Sequence, residues 1–134
     1  MDKRGVAILG VFVADLAFRA GKLPAIGETI AGSGFAVGPG GKGSNQAVAA
    51  ARAGSDVTFI SRIGNDAFGE LALKTWTVNG IRPRVTQTAA APTGAAFIYV
   101  HETRGDNAAE IVENYVPINL MARRKLAIMN MPWR

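Results

Sequence analysis

Between residues 38 and 54 the chain reads GPGGKGSNQAVAAARAG, four glycines and a lysine running straight into an alanine-rich stretch that a fifth glycine closes. Alanine is the strongest helix former, so Ser44 to Ala53 is read as a helix, with Ser44 or Asn45 as N-cap and Gly54 as its stop. Ala47, Val48 and Ala51 fall on one face of that helix. Side chains so small imply that the helix lies close against a sheet. The glycines before it lack a Cβ, so backbone N–H groups there can approach a neighbour or a ligand closely.

The flanking sequence supplies the strands. VAILG, residues 6–10, is a continuous apolar run that predicts a fully buried strand of a parallel sheet. DLAFRA, ETIAG and GFAVG follow, punctuated by Gly21, Pro24, Gly27, Gly32 and Gly34, and predict a small antiparallel sheet over about 15–38. After the glycine turn and helix, DVTFISRIG predicts a buried strand from Val57 to Ile60. Asn65 or Asp66 then caps a second helix, in which Phe68, Leu71, Ala72 and Trp76 recur at helical spacing up to Gly80. RVTQT and GAAFIYVHET predict two more strands around the turn AAAPTG, and EIVENYV is open to reading as another short one. This order is that of an alternating α/β domain with one excursion.

Composition narrows the function. At 134 residues, 49% hydrophobic and 19% charged, the chain has the makeup of one globular domain. Its apolar runs fall well short of the roughly 20 residues of a membrane span, and no signal-peptide pattern opens it, so a cytoplasmic protein without membrane association is expected. No cysteine is present, which excludes disulfides, thiolate metal sites and cysteine nucleophiles. The single histidine, His101, cannot build a histidine cluster and is read as a surface residue. The net charge of +5 is concentrated in Ile118 to Arg134, which holds Arg123, Arg124, Lys125, Arg134 and no acid, against 11 basic and 10 acidic residues before it. A nearly neutral body argues against a nucleic-acid partner, and the short ARRK patch is read as solvated tail.

The glycine turn fails the two phosphate-binding templates it suggests. A Walker A loop needs a glycine where Ala36 stands and a serine or threonine where Gly43 stands. A dinucleotide fingerprint joins the first strand directly to a helix and has an acidic residue at the end of the next strand, near Ile60, and neither holds. Lys42 and Asn45 frame the turn instead, and an amide that both donates and accepts suits the vicinal hydroxyls of a sugar. A purely structural glycine turn is the alternative.

The stretch GPGGKGSNQAVAAARAGSDVTFISRIGNDAFG resembles the N-terminal signature of the ribokinase-like (PfkB) carbohydrate kinases, and LPAIGET and PTGAAFIYV resemble the lid strands of that family in the expected order. The resemblance covers roughly residues 5 to 107. It implies a ribokinase-like, doubly wound α/β fold with a mainly parallel sheet and a small antiparallel β lid, at about 15–38 and 94–104. It also implies ATP-dependent phosphorylation of the terminal hydroxyl of ribose or a related sugar, with Mg²⁺. By this resemblance Asp15, Gly40, Gly41, Lys42 and Asn45 contact the sugar, Ala96 and Ile98 cover it, and the lids of two subunits pair in a homodimer. Each residue also has a structural reading: Asp15 as a turn cap, Lys42 as solvated, Ala96 and Ile98 as core.

Two departures shape the expectation. Val13 stands where these kinases carry an asparagine that binds the sugar, so a sugar other than ribose, such as another pentose, a deoxy sugar or a different polyol, suits the more apolar wall. The GxGD motif that supplies the family's catalytic base and anion hole has no counterpart; the only Gly-Asp pair is Gly105-Asp106, read as a turn. The chain is therefore expected to hold the sugar-binding half without the C-terminal half, with most of the nucleotide site missing, no catalytic residue, no metal site of its own, and a divergent basic tail over 108–134. A truncated, inactive kinase is the leading expectation, and a non-catalytic sugar-binding or dimerising remnant is the alternative.

Overall fold

The computed structural model describes residues 5–112. Three strands, β1 (Gly5–Leu9), β4 (Asp56–Gly64) and β5 (Arg82–Thr88), pair in parallel in the order β1-β4-β5. Four more, β2 (Val13–Ala20), β3 (Gly34–Gly40), β6 (Gly94–His101) and β7 (Asn107–Val112), form a second sheet in the order β3-β2-β6-β7. Its outer pairs are antiparallel, while the central pair β2–β6 is parallel. Helices α1 (Lys42–Arg52) and α2 (Ala67–Val78) connect β3 to β4 and β4 to β5. β7 extends into the stretch read from sequence as a divergent tail, and residues 113–134 of that stretch lie outside the described residues.

The core follows from the period-2 pattern of β4. Val57, Phe59, Ser61 and Ile63 are buried on one face, and Asp56, Thr58, Ile60 and Arg62 are half-buried on the other. Ala47 of α1 and Ala72 and Trp76 of α2 join Val57, Phe59 and Ile63 in one hydrophobic cluster, so both helices cover the same face. Trp76 is fully buried, with its ring 4.9 Å from that of Phe59 and edge-on to Phe12 at 5.8 Å. A buried indole N–H needs an acceptor, and the Ser44 hydroxyl supplies it at 2.9 Å.

That bond corrects the expected cap of α1. Ser44 turns inward to Trp76, the helix starts two residues earlier at Lys42, and the N-cap is Gly41, which has no side chain to offer. The cap expected of Asp66 on α2 is present: its Oδ1 accepts from Gly69 N at 2.8 Å. Two other expectations fail. β1 pairs as foreseen but is largely exposed, because it is the edge of its sheet and β4 is its sole neighbour among the described residues. Residues 28–32 form no strand; Glu28 instead bonds Lys22 and the Ala25 N–H, closing a turn.

Candidate functional site

β2 leaves the core and becomes the middle of the second sheet. Val13 and Ala14 are buried, whereas Phe18 near its far end is 40% exposed. Alternation places Val13, Asp15 and Ala17 on one face and Ala14, Leu16 and Phe18 on the other. In register, Asp15 lies between Gly38 of β3 and Ala96 of β6, and Ala17 lies beside Ile98. The face carrying Asp15 therefore also carries Ala96 and Ile98. The opposite face carries a phenylalanine cluster, with Phe18 4.8 Å from Phe35 and 5.3 Å from Phe97.

The carboxylate of Asp15 lies against the backbone of Gly40: a Cβ at that position would be 2.3 Å from Oδ1 and 2.4 Å from Oδ2. Gly40 thus has to be glycine for the carboxylate to rest there. Gly41 has a different reason. Its φ of 93° is strained for any L side chain, and its Cβ would meet the Val11 carbonyl oxygen at 2.5 Å. Gly43 abuts Gly10 at the end of β1, where a Cβ on either would lie 3.0 Å from the other's Cα. The glycine turn is therefore a close backbone junction between α1, the end of β1 and the start of β2.

Among the described residues the Asp15 carboxylate has no hydrogen-bond or ion-pair partner. Partial burial raises its carboxyl above the ordinary aspartate value, with no bond to offset the lost solvation. Beside it the sheet is open, because a Cβ on Gly38 would meet nothing within 4 Å. Lys42 and Asn45 sit exposed on the first turn of α1, and neither side chain is engaged by another described residue. That turn has no side-chain cap and no acidic residue. Asp15, Gly40, Gly41 and the start of α1 come together, with buried Ala96 and half-buried Ile98 on the same face as the carboxylate.

The pfkB family carbohydrate kinase model matches residues 3–119. The chain belongs to this family. Among its members, the ribokinase of Mus musculus is 41% identical over 112 residues, covering 83% of this chain and 34% of that protein. The ribokinase of Bacillus subtilis is 37% identical over 111 residues, covering 82% of this chain and 37% of the relative. The solved ribokinase of Arabidopsis thaliana, complexed with ribose and ATP, matches at 30% identity and a TM-score of 0.75, over 84% of this chain and 36% of that one. The chain thus spans about a third of the length of the curated relatives it matches. The ribokinase fold of the family is shared by the described residues.

ATP use fits the family, but the described residues bring no three His, Cys, Asp or Glu side chains together. Asp106, in the only Gly-Asp pair, occupies the β6–β7 turn, where its carboxylate is exposed and paired with Arg104 at 3.1 Å. From Ala96, beside Asp15, to the end of β6 at His101 is about 16 Å along the strand. Asp106 is therefore a turn residue, as its sequence context indicates.

Sequence reasoning missed the second role of Asp66. Its Oδ2 accepts from Thr93 N at 2.7 Å, and the Thr93 hydroxyl accepts from Gly64 N at 2.9 Å. The available signal was a pair of glycines around it, Gly64 and Gly69. A Cβ on Gly64 would lie 2.4 Å from Asp66 Oδ2, and one on Gly69 would lie 2.3 Å from the Gly64 carbonyl oxygen.

Proposed function

We propose that this chain is the sugar-binding part of a ribokinase-like kinase. Asp15 accepts hydrogen bonds from vicinal hydroxyls of ribose or a related sugar, the Gly40–Gly41 backbone lies against the sugar, and Lys42 and Asn45 bind its remaining oxygens. Ala96 and Ile98 form an apolar cover. The observation that carries this reading is the partly buried carboxylate of Asp15, seated on Gly40, without a partner and beside open space. A carboxylate desolvated without compensation costs stability, and a diol that donates two hydrogen bonds relieves that cost.

Val13, one step along the same face, is buried and offers no hydrogen bond. It favours a sugar with fewer hydroxyls at that wall, so 2-deoxyribose or another pentose binds at least as well as ribose. Titration calorimetry with ribose, 2-deoxyribose, xylose and arabinose tests this; binding confined to ribose removes the argument from Val13.

As a kinase the whole protein would transfer the γ-phosphoryl group of ATP to the terminal hydroxyl of the sugar. That transfer depends on positioning and charge stabilisation around the phosphates. Within these 134 residues there is no GxGD segment. We therefore propose that this chain binds sugar without phosphorylating it. In a coupled assay for ADP it gives no sugar-dependent rate, and sustained turnover would refute the assignment of a sugar half alone.

A second reading is favoured by one observation. Phe18, Phe35, Val37 and Phe97 are all exposed on the face of the second sheet opposite Asp15. An apolar cluster of this kind suits a homodimer through the lid. Sedimentation equilibrium of the wild type and Phe35→Ser tests it, with a dimer expected for the first and a monomer for the second.

A further inference from the structure

The chain passes between the two sheets at three places. Two of them, residues 10–12 and the Gly40–Gly41 turn, are close backbone junctions lined by Gly10, Gly41 and Gly43. The third, residues 89–93 from β5 to β6, is tied by side chains. Asp66 uses Oδ1 to cap α2 through Gly69 N and Oδ2 to hold Thr93 N. The Thr93 hydroxyl accepts from Gly64 N, at the end of β4. The Thr88 carbonyl accepts from Asn65 N at 2.9 Å, and its hydroxyl accepts from Ala90 N at 3.1 Å. Thr93 is 6% exposed, and Gly64 and Gly69 leave no room for a side chain, so the end of β4, the start of α2 and the root of β6 are packed into one knot.

We propose that Asp66 and Thr93 are positioning residues for the second sheet, a latch that fixes the root of β6 to the parallel sheet and so sets Ala96 and Ile98 relative to Asp15. Thr93 directly precedes Gly94, which pairs with Val13, and two residues on Ala96 pairs with Asp15. A shift at Thr93 is carried along a hydrogen-bonded strand to Ala96 and Ile98. A cap needs one carboxylate oxygen; here the second oxygen crosses 27 residues of sequence to reach the sheet junction. Burial opposes ionisation of Asp66, yet the bonds from Thr93, Gly69 and Phe68 outweigh it and hold the carboxyl below its ordinary value. The latch is thus charged and closed at neutral pH. The consequence for sugar affinity rests on the reading of the Asp15 face given above, and the consequence for β6 does not.

Hydrogen–deuterium exchange on the 134-residue chain tests the latch. Asp66→Ser keeps an N-cap oxygen but has no second one for Thr93. Thr93→Val keeps the shape and loses the acceptor for Gly64, and Thr93→Ser retains the hydroxyl. Amides of Gly94–His101 and Val13–Ala20 should exchange about tenfold faster in Asp66→Ser and in Thr93→Val, relative to those of Val57–Ser61, as loss of a charge-assisted or buried hydrogen bond implies. Thr93→Ser should stay within about twofold of wild type. Should Thr93→Val not fold, Asp66→Ser carries the same comparison. Equal acceleration in both sheets, or fraying of α2 alone, overturns the proposal and leaves Asp66 a helix cap. In parallel, pentose affinity of Asp66→Ser should fall about tenfold. If the wild type binds no pentose, the reading of the Asp15 face fails, while the exchange pattern still decides the latch.

Discussion

A methyl group added at Gly40 would stand 2.3 Å from Oδ1 of Asp15, whereas one added at Gly41 would stand 2.5 Å from the carbonyl oxygen of Val11. The two neighbouring glycines therefore respond differently to alanine. In Gly40→Ala the obstacle is the end of a side chain that can swing away, so the cost is that of modest overpacking, about 1–2 kcal/mol. In Gly41→Ala the obstacle is backbone and the φ of 93° is itself unfavourable, which adds about 1–3 kcal/mol of strain to the overlap. Combining each with Asp15→Ala separates the causes. Removing the carboxylate should abolish most of the Gly40→Ala cost, a coupling of about 1 kcal/mol or more, and leave the Gly41→Ala cost within about 0.5 kcal/mol of its value with Asp15 present. Urea unfolding followed by circular dichroism measures all of these variants by linear extrapolation. Equal Gly40→Ala costs with and without Asp15 would refute the placement of the carboxylate on Gly40, and with it the site.

Three further outcomes follow from the same geometry. Ser44→Ala leaves the buried Trp76 N–H without an acceptor and should cost about 1–3 kcal/mol in urea unfolding, whereas Asn45→Ala, on the exposed side of α1, should stay within about 0.5 kcal/mol. Asp66, lowered in the fold, contributes stability that is present above its unfolded value near 3.8 and is lost as pH falls through the lower folded value; acid unfolding of Asp66→Asn should lack that component. Asp15 is raised, so its ionised form opposes folding at neutral pH and that opposition vanishes as pH falls below the raised value towards 3.8. Asp15→Asn should then be as stable as wild type or slightly more stable at pH 7, and the gain should disappear in acid, as thermal melts across pH will show.

Much of the architecture was legible because hydrophobic period and punctuation agree in this chain. The strand in DVTFISRIG, expected over Val57–Ile60 and found over Asp56–Gly64, the spacing of Phe68, Leu71, Ala72 and Trp76, and Asp66, one of the two caps expected before them, all appear in the structure. What misled was local chemistry overruled by tertiary contacts. Ser44 looks like a cap, yet a buried indole N–H claims its hydroxyl. The apolar run at 6–10 looks like a buried strand, but burial depends on neighbours, and among the described residues β1 has one. The segment 28–32 alternates like a strand, but Glu28 bonds within its own turn. At the candidate site, the glycine turn, Asp15 and the lid segments were marked by the family resemblance. That Asp15 rests on Gly40 could not be read from spacing, because it depends on how β2 and β3 pair. The Asp66–Thr93 bond was hidden for the same reason, since it joins residues 27 apart in sequence.

The central claim is that Asp15 is the hydroxyl acceptor of a sugar site. Calorimetric titration of the wild type and Asp15→Asn with 2-deoxyribose and ribose, in one buffer at pH 7, tests it most directly. The account predicts saturable binding of at least one pentose by the wild type and at least a tenfold loss in Asp15→Asn, as expected when a carboxylate that accepts two hydroxyl bonds is removed. Equal affinity in the two proteins, or no pentose binding by a folded wild type, would contradict it.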